Sequence, residues 1–334
     1  MKDKRLLVYV LVCGILLSAC GSLKSPEQKM DTLKITMSSE LSYGPLLIAE
    51  AEGYFREFGI NMEYVTFNRT SEALALLIAG TTDIYAGTLN IGFLNTLAGE
   101  ENLKAVADRG HVEPGKCTYQ AILIRKDLYD SGEVTSPADL AGQTFSISFY
   151  GPASFLLDSY LGQGGLTLND IVPIDIPGPS EMDAFANKAI SGSVAPEPDL
   201  TRILNGGNAA ILARSEDVLG LFQSGIIAFG KNLLVENPEL GGRFLAAFLM
   251  GVRQFNEGKT GRNLKILSEA TGESLEILQA SCWPSMRDDG QIDFAGVDPF
   301  QQWAISFDQL EKPVTAEQFF DPSFLAAAED LLNP

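Results

Sequence analysis

The chain has 334 residues and a formal net charge of −19 at pH 7. A chain of this length is expected to form about two domains with sizeable cores, and the acidic balance argues against nucleic acid or anionic lipid headgroups as partners. The single histidine, His111, and the absence of a Cys-x-x-C pair argue against a metal site. No phosphate-binding glycine loop, dinucleotide fingerprint or Gly-x-Ser-x-Gly elbow occurs, so we expect no cofactor and no catalytic residue.

Residues 1–19 have the pattern of a lipoprotein signal peptide. Basic residues precede an apolar core at 6–17, which is too short to span a bilayer. Residues 17–20, Leu-Ser-Ala-Cys, resemble the bacterial lipobox, in which the cysteine carries the lipid. We therefore expect Cys20 to be lipidated and to anchor the protein on the extracytoplasmic side of the cell membrane, with residues 20–31 as a tether. An ordinary signal peptide with a cysteine at the cleavage point is the alternative.

From residue 33 onward, predicted strands alternate with predicted helices. Gly59 marks the end of the first helix. This alternation is typical of βαβ units and a mainly parallel sheet. The elements of this first unit are strands at 33–37, 60–67, 84–86 and 103–107, and helices at 45–58, 71–79 and 90–98.

A second α/β unit follows, and a helical tail completes the chain. We predict two lobes, the second inserted into the first: residues 32–125 with 223–334 form lobe one, and residues 126–222 form lobe two. The strands of the second unit are at 121–124, 144–148, 172–176 and 209–213, and its helices at 153–161, 181–190 and 200–205. A returning strand at 226–229 precedes tail helices at 239–256, 264–270, 274–280, 299–309 and 324–332.

A set of short motifs is spread along the chain. They are Tyr-Gly-Pro-Leu at 43–46, Glu-Gly-Tyr-Phe-Arg-Glu-Phe-Gly-Ile at 52–60, Ala-Gly-Thr-Thr-Asp at 79–83, Asp-Leu-Ala-Gly-Gln at 139–143, Glu-Pro at 197–198, Asn-Pro-Glu at 237–239 and Phe-Asp-Pro-Ser-Phe-Leu at 320–325. In this order, the motifs resemble those of the solute-binding proteins of the thiamine-precursor, sulfonate and nitrate group. The resemblance extends over residues 33–332. One departure is the absence of the aspartate that usually precedes Glu-Pro, since Gly-Ser-Val-Ala-Pro stands at 192–196.

The resemblance implies a two-lobed periplasmic-binding-protein clamp, each lobe a mainly parallel sheet flanked by helices, with a helical C-terminal tail. It also implies a small-molecule ligand and the permease and ATPase subunits of an ABC importer as partners. We expect a monomer that is not an enzyme. The same family includes fungal thiamine-pyrimidine synthases, so an enzyme is the remote alternative, although their cysteine-rich motif is missing here. A secreted adhesin or structural lipoprotein is a further alternative.

Loops at the carboxyl ends of parallel strands form the ligand sites of open α/β sheets. We expect Tyr43 and Tyr150 to clamp the ligand, and Glu197 or Asn90 to bond its polar edge. Helix capping explains the Ser, Thr and Asn positions equally well, and solvent exposure is the alternative for Glu197. The candidate ligand-binding residues are Ser38, Ser39, Tyr43, Asn68, Thr70, Thr88, Asn90, Tyr150, Gly151, Ser154 and Glu197.

The predicted cleft loops are richer in aromatic than in basic residues, which favours a planar heterocycle. The segments at 107–111 and 117–119 resemble the riboflavin-binding branch of the group, so riboflavin is preferred and a thiamine-type pyrimidine comes next. An alkanesulfonate or nitrate-type anion is the alternative. Such an anion would need a cation, and the predicted cleft loops contain only Arg69. Three more basic residues, Arg109, His111 and Lys116, are in a loop further on.

Two cysteines, Cys117 and Cys282, lie beyond the N-terminal segment. An extracytoplasmic location permits a disulfide between them, but their wide separation in the sequence says nothing about distance. We expect two buried thiols.

Overall fold

The computed structural model describes residues 30–37, 41–67, 70–149 and 151–333, with Thr70 and Pro179 described by their backbones alone. The signal peptide, the lipidation site Cys20 and four candidate ligand-binding residues lie outside the described residues. No helix within the described ranges has the length and apolar character that crossing a membrane requires. The four candidates are Ser38, Ser39, Asn68 and Tyr150.

The described residues form ten strands and a larger set of helices. The strands are β1 (Asp31–Thr36), β2 (Ile60–Val65), β3 (Ile84–Thr88), β4 (Lys104–Val112), β5 (Gln120–Arg125), β6 (Thr144–Ser146), β7 (Val172–Ile174), β8 (Gly192–Pro196), β9 (Ala209–Arg214) and β10 (Phe222–Phe229). The α-helices are α1 (Gly44–Glu52), α2 (Tyr54–Glu57), α3 (Thr70–Ile78), α4 (Ile91–Gly99), α5 (Lys126–Asp130), α6 (Pro152–Gln163), α7 (Gly178–Ala186), α8 (Asp199–Asn205), α9 (Ser215–Leu219), α10 (Pro238–Asn256), α11 (Gly261–Thr271), α12 (Leu275–Ala280), α13 (Asp298–Ser306), α14 (Ala316–Phe319) and α15 (Ser323–Leu332).

The strands are arranged in two five-stranded sheets, one in each lobe. The order is β2-β1-β3-β10-β4 in lobe one and β7-β6-β8-β5-β9 in lobe two. In each sheet a single strand runs antiparallel to both of its neighbours: β10 in lobe one and β5 in lobe two. The remaining strands of each sheet run in one direction, which confirms the two-lobed fold with mainly parallel sheets.

Helices cover both faces of each sheet, and a hydrophobic cluster lies on each face. This arrangement explains why the inner strands β3 and β5 are buried along nearly their whole length. The longest helix, α10, begins with Pro238 and has Glu239 in its first turn and Arg253 in its last, as the helix dipole favours. Its apolar face packs on α1 and α15, so the helical tail completes lobe one.

The lobe boundary differs from the prediction. Strand β5, which we assigned to lobe one, pairs with β8 and β9 in the sheet of lobe two. The chain therefore crosses between the lobes at 113–119, before β5, and returns after α9 at 220–221. Strand β4 is also longer than expected, because Asp108, Arg109 and His111 lie inside it and are buried.

The expectation of two buried thiols is wrong, because Cys117 and Cys282 form a disulfide with a Cα–Cα distance of 5.7 Å. Cys117 lies in the first crossing segment and Cys282 follows α12 of the helical tail. The bond thus fixes the crossing segment to lobe one.

The lobes also touch beside the crossings. Phe155 of α6 in lobe two packs on Phe222, Phe300 and Trp303 of lobe one, with ring centroids 5.4–5.6 Å apart. The indole nitrogen of Trp303 donates a hydrogen bond to Asp158 at 3.0 Å. The aromatic side chain of Phe155 therefore belongs to the contact between the lobes.

Candidate functional site

A cleft of about 1060 Å³ separates the two lobes. Thr88, Ser146 and Pro196, the last residues of β3, β6 and β8, line it. Helices α4, α6, α7 and α8 begin at its edge, so the N-terminal ends of these helices face the same space. This is the position in which open α/β sheets bind ligands.

Three of the candidate residues line the cleft: Thr88, Asn90 and Gly151. Asn90 also caps α4, because its Oδ1 accepts a hydrogen bond from the backbone N–H of Phe93 at 2.9 Å. Its Nδ2 donates to the carbonyl oxygen of Thr88 at 3.1 Å. Both polar atoms of the Asn90 side chain are therefore already used in local hydrogen bonds.

Tyr43 does not lie open to the cleft as a clamp would. Only 2% of the residue is exposed, and its hydroxyl donates to the carbonyl oxygen of Ala86 at 2.8 Å. Its ring supports the guanidinium of Arg109, whose Cζ lies 4.2 Å from the ring centroid. Among the described residues, the aromatic side chains that line the cleft are Phe149 and Tyr119.

Ser154 and Glu197 are buried and form hydrogen bonds that stabilise the structure around them. Ser154 is buried and its Oγ donates to the carbonyl oxygen of Gly151 at 2.9 Å. Glu197 is also buried, contrary to the alternative of solvent exposure. Its carboxylate accepts bonds from the backbone N–H and hydroxyl of Thr201, at 3.0 and 2.9 Å, and from the N–H of Cys282 at 3.0 Å. This carboxylate thus caps α8 and joins it to the helical tail.

Arg109 is a cleft residue that the sequence analysis placed in a distant loop. Only 1% of it is exposed, and its Nη1 donates to Ser42 Oγ at 2.6 Å. The buried Nε has no hydrogen-bond partner among the described residues. The sequence pattern gave no signal for this placement, because Asp108, Arg109 and His111 together interrupt the apolar run of β4.

Glu181 on α7 is the second cleft residue that the sequence analysis missed. Burial raises the pKa of its carboxyl to about 7, neighbouring Asp199 adds to the increase, and the nearby hydroxyls of Ser146 and Ser193 oppose it. Its position in the first turn of a helix that follows a strand is the signal that also identified Asn90.

Asp175 and Asp199 complete the acidic side of the cleft. Asp175 is exposed, whereas Asp199 is partly buried and pairs with Arg202 on the same helix. Gly178 makes room for Asp199, because a Cβ at Gly178 would lie 2.4 Å from Asp199 Oδ2. Within the described ranges, no group of three or more His, Cys, Asp or Glu side chains is arranged to hold a metal ion.

Two lobes, two chain crossings and a polar cleft between them define a two-lobed binding protein. A family model described as NMT1/THI5 like matches residues 41–257. The chain belongs to this NMT1/THI5-like family. The search of curated proteins found no match.

Solved structures of similar fold include binding components of ABC importers. One is the ligand-binding component of an ABC-type import system from Staphylococcus aureus with zinc bound, at 16% identity, 90% coverage of this chain, 99% of that chain and a TM-score of 0.74. The periplasmic nitrate-binding protein of Synechocystis PCC 6803 has 16% identity, coverages of 93% and 91%, and a TM-score of 0.73. The desulfurization enzyme DSZB also shares the fold, at 15% identity, coverages of 90% and 99%, and a TM-score of 0.64.

Proposed function

We propose that this protein is the extracytoplasmic solute-binding component of an ABC importer and delivers a small molecule to its permease and ATPase partners. The observation that carries the proposal is the ligand-sized cleft between two lobes, at the carboxyl ends of parallel strands. The family membership and the import proteins of similar fold support it. Closing the lobes around a ligand would let a permease distinguish loaded from empty protein.

We propose a small planar heterocycle as the ligand, with riboflavin preferred and a thiamine-type pyrimidine next. Phe149 and Tyr119 line the cleft and offer rings for stacking. An anion of the alkanesulfonate or nitrate type is the second candidate, and the buried cation Arg109 is the observation that favours it.

We propose a binding protein and no enzyme, although one structure of similar fold is an enzyme. Cys117 and Cys282 are joined to each other and offer no thiolate nucleophile. Measuring consumption of each candidate ligand over hours tests this point. Stoichiometric binding with the ligand recovered unchanged is expected, whereas its conversion would identify an enzyme.

Small-angle scattering tests the transport proposal directly. We expect the radius of gyration to decrease when a ligand from a panel of riboflavin, aminopyrimidines, alkanesulfonates and nitrate saturates the protein. Calorimetry on the same samples establishes saturation. A saturating ligand that leaves the radius unchanged would contradict closure, and a protein that retains no small molecule from its own host would contradict the function.

We also propose that Cys20 carries the lipid anchor. Cys20→Ser should release the protein from membranes or leave an uncleaved precursor, whereas Ser22→Ala should partition as the wild type does. Unchanged detergent partitioning of a processed Cys20→Ser variant would refute the anchor.

A further inference from the structure

We propose that the ligand is amphoteric: Arg109 in lobe one binds an anionic group, and the carboxylates of lobe two bind a cationic or N–H-bearing group. This inference rests on the proposed transport function and specifies the ligand of the same cleft. It departs from the preference for riboflavin and for a thiamine-type pyrimidine, because neither of these molecules carries an anionic group. Among the described lining residues, lobe one contributes one cation and no carboxylate. Lobe two contributes Asp175, Glu181 and Asp199 and no cation.

The charge of Arg109 needs a counterion. A guanidinium remains protonated in proteins, and burying such a charge without a partner is strongly unfavourable. The Tyr43 ring and Ser42 supply one cation–π contact and one hydrogen bond. No ion pair joins Arg109 to a carboxylate within the described ranges, and its Nε is unpartnered. A ligand anion would supply both missing interactions.

The neighbouring carboxylate of Asp108 cannot serve as this counterion. Successive side chains of a strand point to opposite faces, and Asp108 is engaged on the other side. Its Oδ1 accepts bonds from Gly110 N–H and the Gln223 amide, both at 2.8 Å. Its Oδ2 accepts one from Arg287 N–H at 2.9 Å and contacts His111 Nδ1 at 2.8 Å. All the acceptor capacity of Asp108 is therefore in use.

The backbone around Arg109 leaves space for the guanidinium. Gly225 of β10 lies beside it, and a Cβ at Gly225 would come 3.3 Å from Arg109 Nη2. Gly225 and Ser224 both line the cleft. Any side chain at Gly225 would compete for the space next to Nη2, so the glycine keeps this end of the cleft open to a ligand.

The opposite wall is suited to a positive or N–H-bearing group. Glu181 is 6% exposed, yet it lines the cleft, so its desolvated carboxylate would gain from a cationic ligand. The groups facing it are the hydroxyls of Ser146 and Ser193 and the carboxylate of Asp199, which Arg202 neutralises in part. Asp175 adds a second, exposed carboxylate at the cleft.

The cleft has room for a ligand larger than a bare inorganic ion. Pockets of about 300–1,000 Å³ hold drug-sized ligands, and the volume of this cleft, about 1060 Å³, is slightly above that range. A planar heterocycle that carries a phosphate, carboxylate or sulfonate at one end and amino or imino groups at the other would contact both walls and the ring of Phe149.

The anionic subsite can be tested with ethanesulfonate and inorganic phosphate as probes. We expect either anion to raise the melting temperature of the full-length protein in a saturable way. Arg109→Gln should weaken this binding roughly ten- to hundredfold, and Arg109→Lys should restore part of it. Arg253→Gln is the matched control, because Arg253 pairs with Glu329 away from the cleft. Equal anion binding by wild type and Arg109→Gln would overturn the proposal.

The acidic subsite can be tested with benzamidinium, a planar cation. We expect it to bind the wild type and Arg109→Gln equally, and to bind Glu181→Gln roughly ten- to hundredfold more weakly. Asp183→Asn on the same helix is the matched control, because Asp183 is exposed and does not line the cleft. Benzamidinium binding that is unaffected by Glu181→Gln would overturn this half of the proposal.

The two failures are distinguishable. If probe binding is unaffected by Arg109→Gln and Glu181→Gln while scattering still shows closure on another ligand, the proposal of an amphoteric ligand is wrong and the transport function stands. If the probes bind as expected but no ligand closes the lobes, the two subsites stand and the transport function is wrong.

Discussion

The two walls of the cleft carry opposite charges and deal with burial in different ways. Lobe one presents Arg109, which cannot lose its charge and has no carboxylate partner among the described residues. Lobe two presents Glu181, whose pKa of about 7 lets it take up a proton when nothing compensates it. The difference indicates that a ligand is needed most on the side of lobe one, because Arg109 cannot neutralise its buried charge by losing a proton.

Glu197→Ala should have the largest effect on the free energy of unfolding. It tests whether this carboxylate of lobe two is structural, in contrast to Glu181, which faces the ligand. It removes a buried carboxylate that caps α8 and bonds Cys282 N–H, so we expect a loss of about 3–4 kcal/mol in the free energy of unfolding. Urea unfolding measures this loss. The exposed Glu276→Ala should change stability by less than about 0.5 kcal/mol. A loss of similar size in both variants would contradict the structural role.

Glu181→Gln should change stability in the opposite direction and raise the free energy of unfolding. A carboxyl with a raised pKa keeps its proton in the folded state, so its stability penalty grows as pH rises from the unfolded value of 4.5 to about 7 and is complete above that. We expect the variant to gain about 2 kcal/mol on the wild type between about pH 5.5 and about pH 8.5. Urea unfolding at the two pH values measures the gain. A stability difference that is independent of pH would show that Glu181 titrates normally.

Arg109→Met should stabilise the ligand-free protein while it destroys the anionic subsite. Replacing an uncompensated buried charge by an apolar side chain of similar length removes a desolvation cost, and we expect a gain of about 1–2 kcal/mol. Thermal unfolding of extensively dialysed protein measures the gain. A loss of stability of that size would mean that the contacts to Tyr43 and Ser42 compensate the charge fully, which would remove the need for a ligand anion.

Tyr43→Phe should have the smallest effect. The variant loses the hydrogen bond to the Ala86 carbonyl, at a cost of about 1 kcal/mol, but keeps the ring beneath the guanidinium. Its affinity for ethanesulfonate should therefore match that of the wild type, measured by calorimetry. A large loss of affinity would restore the expectation that Tyr43 contacts the ligand.

The order of strands and helices could be predicted because apolar periodicity follows directly from packing a sheet between helices. The tail shows this well, since α10 and α15 lie within two residues of their predicted bounds. Arg109 could not be placed, because three polar residues interrupt the apolar pattern of β4 and suggested that the strand had ended. The disulfide and the capping role of Glu197 depend on contacts between segments far apart in the sequence, which local patterns do not contain.

Native mass spectrometry of protein purified from its own host tests the central claim most directly. The wild type should retain one small molecule that carries both an anionic group and a basic or N–H-bearing group. Arg109→Gln, purified in parallel and folded as judged by circular dichroism, should be largely empty. A retained molecule that lacks an anionic group and stays bound to Arg109→Gln would contradict the account.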